Sequence, residues 1–204
     1  MNPLFSIWFE PRKSLKHLID NYDPWSIWLL AVLGGIKESF NWVSTCNMGQ
    51  RHGIDFILIL VILVGPPLGI TTNWAGAFFT KWIGGKFGGK GSQKALLTVI
   101  VWSSLPVILM VPFWFLLFLG FGDDAFSPNL SVIANHSGNI GLILLTYGWL
   151  FLKFVAIVWS FIIMLVGISD AQGFTKWGAF GNTFAAALGV YAIFGFPIYW
   201  IFHL

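Results

Sequence analysis

Five stretches of this sequence, at 25–45, 54–79, 95–121, 140–168 and 179–202, are almost uncharged and apolar on every side. Each reaches the ~20 residues that an α-helix, rising ~1.5 Å per residue, needs to cross ~30 Å of hydrocarbon. A helix in an aqueous fold keeps a polar face, and these have none. Hydrocarbon leaves backbone polar groups nothing to bond except each other, so such stretches are read as helices. The expected fold is therefore all-α, a polytopic membrane protein with five transmembrane helices. Charged residues make up 9% of the chain and mean hydropathy is +0.80, values that exclude an ordinary soluble domain. Twelve Trp and 21 Phe suit helices anchored at two interfaces.

The basic residues set an orientation, because Lys and Arg accumulate in cytoplasmic loops. With the N-terminus inside, Arg12, Lys13, Lys16, Lys81, Lys86, Lys90, Lys94 and Lys176 fall on the cytoplasmic side, and Arg51 alone falls opposite. This implies a cytoplasmic N-terminus, an extracytoplasmic C-terminus and, given the short loops, a bacterial inner membrane. The N-terminal basic cluster leads into an apolar run without a small-x-small cleavage site, so the first span is expected to remain as an uncleaved anchor.

Before that span, Pro11 suits the first position of a helix, and Leu15, Leu18 and Ile19 recur opposite Arg12, Lys13, Lys16 and Asp20. Residues 1–22 are thus expected to form an interfacial amphipathic segment, with Phe5, Ile7, Trp8 and Phe9 as further anchors, and 23–204 a five-helix membrane domain. Arg12, Lys13, Lys16, Lys86 and Lys90 would face the anionic leaflet.

Within the spans, Lys37, Glu38 and Lys153 stand out, since an ionisable group at membrane depth costs roughly 2.5–3.5 kcal/mol on insertion scales. Neighbours on a helix diverge by ~100°, so Lys37 and Glu38 are not expected to pair with each other. Depths counted along the helices instead suggest a Glu38–Lys153 pair. In the second span Pro66 and Pro67 remove two backbone donors, which predicts a kink or break near its middle and a candidate ligand site.

No catalytic group is assigned. Ser103 and Ser104 lack a His or acidic partner at a matching depth, and no cofactor is implied. His52, His136, His203, Cys46, Asp55, Asp123 and Asp124 show no metal-ligand spacing, so no metal site is expected. The Trp82–Ser92 stretch is glycine-rich and basic but lacks the phosphate-loop pattern, and contact with lipid phosphates is the more economical reading. No basic stripe or reader motif points to nucleic acid. Gly178, Gly181, Ala185 and Gly189 give the fifth span a small-residue stripe that serves equally a homo-oligomer or packing within one chain.

The opening Asn2-Pro3-Leu4-Phe5-Ser6-Ile7-Trp8 with Pro11-Arg12, then Gly88-Gly89-Lys90-Gly91-Ser92, Trp102-Ser103-Ser104-Leu105-Pro106 and Gln172-Gly173-Phe174, resemble in order and placement prokaryotic members of the Yip family of Ypt-interacting membrane proteins. The resemblance spans nearly the whole chain. It implies a multi-pass protein with a cytoplasmic N-terminus and no known catalytic residues. Eukaryotic relatives act with Rab-type GTPases, but their Asp-Leu-Tyr-Gly-Pro motif is missing here, so that role is not carried over. The expected function is non-enzymatic, with phospholipid or a membrane protein as partner. The alternative is a small transporter or channel using Lys37, Glu38 and Lys153.

Overall fold

The structure is a computed structural model and describes residues 3–195. Among these residues all regular structure is helical. Ten α-helices follow in order: α1 Pro3–Phe9, α2 Pro11–Asp20, α3 Pro24–Thr45, α4 Ile54–Lys86, α5 Gln93–Ser103, α6 Leu105–Ile108, α7 Val111–Phe121, α8 Leu130–Ser137, α9 Ile140–Gln172 and α10 Lys176–Val190. Short 3-10 turns occupy Met48–Gln50 and Gly122–Phe126, and a π turn spans Tyr191–Gly195.

Among the described residues, three stretches are long and apolar enough to cross a membrane: Ile54–Lys86, Gln93–Phe126 and Ile140–Gln172. These are the second, third and fourth expected spans. The first expected span, α3, is a helix of 22 residues whose C-terminal half carries Lys37, Glu38 and Asn41. The fifth begins with α10, and its end at 196–202 lies outside the described residues, as does His203.

Local chemistry sets the helix ends. Pro11 opens α2 at its first turn. Ser92 caps α5 by accepting from the Ala95 amide at 3.1 Å, and Thr175 caps α10 by accepting from Gly178 at 3.2 Å. The third span is interrupted between α5 and α7, where Pro106 and Pro112 supply no amide donor. Ser103 and Ser104, considered above as nucleophiles, instead donate their hydroxyls to the carbonyls of Ile100 and Val101 at 2.9 and 2.6 Å.

Of the kink or break expected at Pro66-Pro67, a break in the helix is not observed. Both prolines lie inside α4, which runs uninterrupted for 33 residues. The preceding Gly65 packs on the backbone of Ile36 in α3, so this turn is braced by a neighbouring helix.

The chain divides into two compact units. The first comprises 1–31, 70–105 and 160–204, and the second comprises 32–69 and 106–159. In the first unit, Ala77, Leu96, Val99, Ile168 and Ala179 form an apolar core. The buried face of α2, Ser14, Leu15 and Leu18, belongs to this unit, and a side chain at Gly167 would meet Leu15 Cδ1 at 2.7 Å. The apolar face of α2 is therefore turned to protein, whereas Phe5 and Phe9 of α1 are 72% and 88% exposed.

In the second unit, Phe40, Trp114 and Phe126 stack with centroids 5.7–6.0 Å apart, and Trp149 meets Trp114 edge-on at 5.2 Å. A cavity of about 90 Å³ beside them is lined by Phe40, Ile54, Leu58, Trp114, Phe115 and Phe118 among others, all apolar. Helices α3 and α4 touch backbone to backbone. A Cβ on Gly35 would strike the Gly65 carbonyl and lie 2.6 Å from the Gly69 amide, so the Gly65-x-x-x-Gly69 spacing permits the approach.

Candidate functional site

Three ionisable residues of the second unit, Lys37, Glu38 and Lys153, join through Asn41 in one hydrogen-bonded chain. Lys37 Nζ donates to Glu38 Oε2 at 2.8 Å, so the expectation that these neighbours would not pair is overturned. The lysine stem is long enough to swing its ammonium around the helix toward the adjacent carboxylate. Asn41, one turn on, donates to the same oxygen at 3.3 Å. Its carbonyl then accepts from Lys153 Nζ at 3.2 Å, and that ammonium sits 4.7 Å from the centre of the Trp149 ring.

No direct Glu38–Lys153 ion pair appears among the described residues; Asn41 stands between them. Asn41, one turn from Glu38 on the same helix, takes the Lys153 ammonium in its place. The linking residue was missed because Asn41 is uncharged, although an amide inside an apolar span was itself a signal. Of the other candidates, Pro66 is half-buried and Pro67 exposed within intact α4.

The first unit holds a different arrangement. Its sequence has eight basic residues against four acidic ones, whereas the second unit has three against four. Arg12, Lys13, Lys16, Lys86 and Lys90 are all exposed. Arg12 makes a two-pronged pair with Asp170 of α9, at 2.7 and 2.6 Å, and Lys13 pairs with Glu10 at 3.0 Å. The hydrogen bond and charge of Asp170 raise the Arg12 pKa above its ordinary value, against a smaller opposing effect of desolvation. Lys86 lies 3.9 Å over the Trp82 ring, and Lys94 lies 5.5 Å over Tyr22. Trp25, Trp82, Phe87 and Trp177 are exposed in the same unit.

Beneath this surface is a buried amide cluster that the residues alone did not suggest. Gln172, at the end of α9, donates to the Thr80 carbonyl at 3.0 Å, and Asn182 of α10 donates to the same carbonyl at 3.1 Å. The side-chain carbonyl of Gln172 accepts from the Gly91 amide at 3.0 Å, and its backbone carbonyl accepts from Lys90 at 3.2 Å. Gly173 turns the chain at φ +74, and Phe174 closes the turn through a 2.9 Å bond to the Ser169 carbonyl. The Gln172-Gly173-Phe174 motif thus combines a clamp, a left-handed turn and its closure.

A family model for the Yip1 domain matches residues 5–201. The chain belongs to the Yip1 domain family. No curated protein and no solved structure matches it. This Yip1 domain is accordingly an all-helical membrane protein with at least three membrane-length apolar helices. Two tight stretches of its backbone, Gly88-Gly89-Lys90-Gly91-Ser92 and Gln172-Gly173-Phe174, lie among the motifs on which the resemblance rested, and the structure joins them through Gln172. Of the groups considered for metal, His52 stacks on Phe56 at 4.4 Å and the His136 ring bonds the Val132 carbonyl. Among the described residues no three His, Cys, Asp or Glu converge on a metal position. Cys46 is half-buried, and burial raises its thiol pKa, partly offset by the nearby charge of Arg51.

Proposed function

We propose that this Yip1-domain protein acts by binding rather than catalysis, engaging anionic phospholipid through the basic end of its first unit. The observation that carries this reading is the concentration of exposed cations, Arg12, Lys13, Lys16, Lys86 and Lys90, among exposed Trp25, Trp82, Phe87 and Trp177. Amphipathic rings favour the headgroup level, and each Lys or Arg near an anionic leaflet adds about 1 kcal/mol of attraction. In this reading α3, α4, the α5–α7 stretch, α9, and α10 with the residues after it cross the membrane five times. The N-terminus is cytoplasmic, the C-terminus is outside, and residues 1–22 lie along the inner surface of a bacterial inner membrane. A membrane protein bearing an acidic face would fit the same end. Reporter fusions placed after Gln50, Ser92, Ser137 and Gly173 test the topology: outside, inside, outside and inside are expected in turn, and any other order ends it.

A transporter reading rests on Lys37, Glu38 and Lys153. Their mutual satisfaction through Asn41 favours a structural tie instead, since polar side chains in hydrocarbon bond one another in preference to remaining bare. Liposomes containing the protein are expected to show no flux of protons or small ions above protein-free controls. Flux abolished by Lys153→Met would restore the transporter.

A further inference from the structure

We propose that the loop at 84–92 is a headgroup site for anionic phospholipid read by the ammonium groups of Lys86 and Lys90, with Gln172 as the positioning residue that holds it in place. This rests on the lipid-binding reading above and specifies where and how contact is made. Glycine-rich loops that cradle phosphate do so with free backbone amides. Here the amides of 87–91 are spent. Phe87 and Gly89 donate to the Gly84 carbonyl, Gly88 to Gly85, Lys90 to the Gln172 carbonyl and Gly91 to the Gln172 side chain. An anion at this loop therefore meets side chains, and the glycines serve another purpose. A Cβ on Gly84 would press on the amides of Gln172 and Asn182, one on Gly89 would lie 2.9 Å from the Gly84 carbonyl, and one on Gly91 would lie 3.1 Å from the Ala171 carbonyl. The glycines let the loop close down on Gln172.

The result is a fixed backbone with mobile charges. Gln172 is 2% exposed and bonds three ways, to Thr80, Lys90 and Gly91, so the Cα of Lys90 has little freedom although its ammonium is exposed. Lys90 has no acidic partner among the described residues. Lys86 rests on the Trp82 ring, and Phe87, 76% exposed, offers an apolar contact next to it. Two lysines without a backbone cradle hold a free phosphate weakly in water. They suit a headgroup that the bilayer already supplies at high local concentration and whose glyceride portion meets Trp82 and Phe87. This selects membrane lipid over soluble phosphate.

The test uses the full chain in lipid nanodiscs and compares association of spin-labelled phosphatidylglycerol with spin-labelled phosphatidylcholine. Lys86→Ala/Lys90→Ala is expected to reduce the preference for phosphatidylglycerol by about fivefold per lysine, the equivalent of about 1 kcal/mol each. Gln172→Ala, with both lysines intact, is expected to lose a comparable share while phosphatidylcholine association and helical content stay constant. Wild-type preference in Gln172→Ala overturns the positioning role. Preference unchanged in the double lysine variant but lost in Arg12→Ala/Lys13→Ala/Lys16→Ala moves the site to α2 and overturns this one, leaving the broader lipid reading in force. Preference unchanged in all of them overturns both. Millimolar sodium phosphate that abolishes the preference would make soluble phosphate the ligand and end the lipid assignment. If Gln172→Ala does not fold, Lys90→Arg and Lys90→Ala decide: retention in the first and loss in the second support the site, and equal behaviour overturns it.

Discussion

Arg12 and Asp170, separated by 158 positions in the sequence, meet through paired hydrogen bonds of 2.7 and 2.6 Å that tie α2 to the end of α9. The pair is exposed, so its value lies in placing α2 more than in overall stability. Arg12→Ala or Asp170→Asn should leave the thermal midpoint nearly unchanged yet increase amide exchange across Pro11–Asp20. Arg12→Lys should recover only part of the protection, because an ammonium cannot reproduce the fork. The Arg12 pKa is raised, so its contribution is complete below the unfolded value and disappears only as pH climbs through the folded one. Across neutral and mildly alkaline pH, exchange protection should therefore show no loss traceable to this guanidinium.

The approach of α3 to α4 depends on Gly35 having no side chain. Gly35→Ala places a methyl against the Gly65 carbonyl and within 2.7 Å of Gly69 Cα, which should cost about 1–3 kcal/mol and reduce yield in detergent. Gly85→Ala is the control. It meets nothing within 4 Å and lies near the end of α4, so it should be neutral or stabilise by up to about 1 kcal/mol. Equal loss in both variants would remove the crossing as the cause.

Asn41 links Glu38 to Lys153, so its removal should affect both. Asn41→Leu is expected to cost about 0.6–1.7 kcal/mol in a reversible membrane-unfolding assay. A double reversal, Glu38→Lys with Lys153→Glu, should not rescue either single change, because the near partner of Glu38 is Lys37. Full rescue would mean that the direct pair exists.

Cys46 is the single cysteine, and burial holds its thiol above the ordinary range. Only the thiolate reacts, so alkylation near neutral pH should be slower than for free cysteine and accelerate about tenfold per pH unit below the pKa. Under the proposed topology an impermeant maleimide should label it from outside intact cells. Labelling only after lysis would reverse the orientation.

Much of this architecture was legible in the residues. Long apolar runs dictate helices because hydrocarbon offers backbone groups no other partner, and this yielded the helical class together with the places of α4, the Gln93–Phe126 stretch and α9, although each runs past its expected end at 79, 121 or 168. Pro11 announced α2, and Ser92 stands where an N-cap belongs. The candidate site was less visible. Lys37, Glu38 and Lys153 stood out because charge is rare in apolar spans, but their partners did not, since Asn41 draws little notice and side-chain reach is not encoded in spacing.

The amino-acid sequence by itself determined that this chain is helical, membrane-embedded and a Yip1-domain protein, because those properties follow from solvent preference and from motifs contiguous along the chain. Only the tertiary structure decided that Pro66 and Pro67 leave α4 intact, that α2 turns its apolar face to protein, and that Gln172 clamps the glycine loop. These outcomes depend on contacts between residues distant in sequence, where a hydrogen bond of 3 Å is set by how helices pack and not by local periodicity.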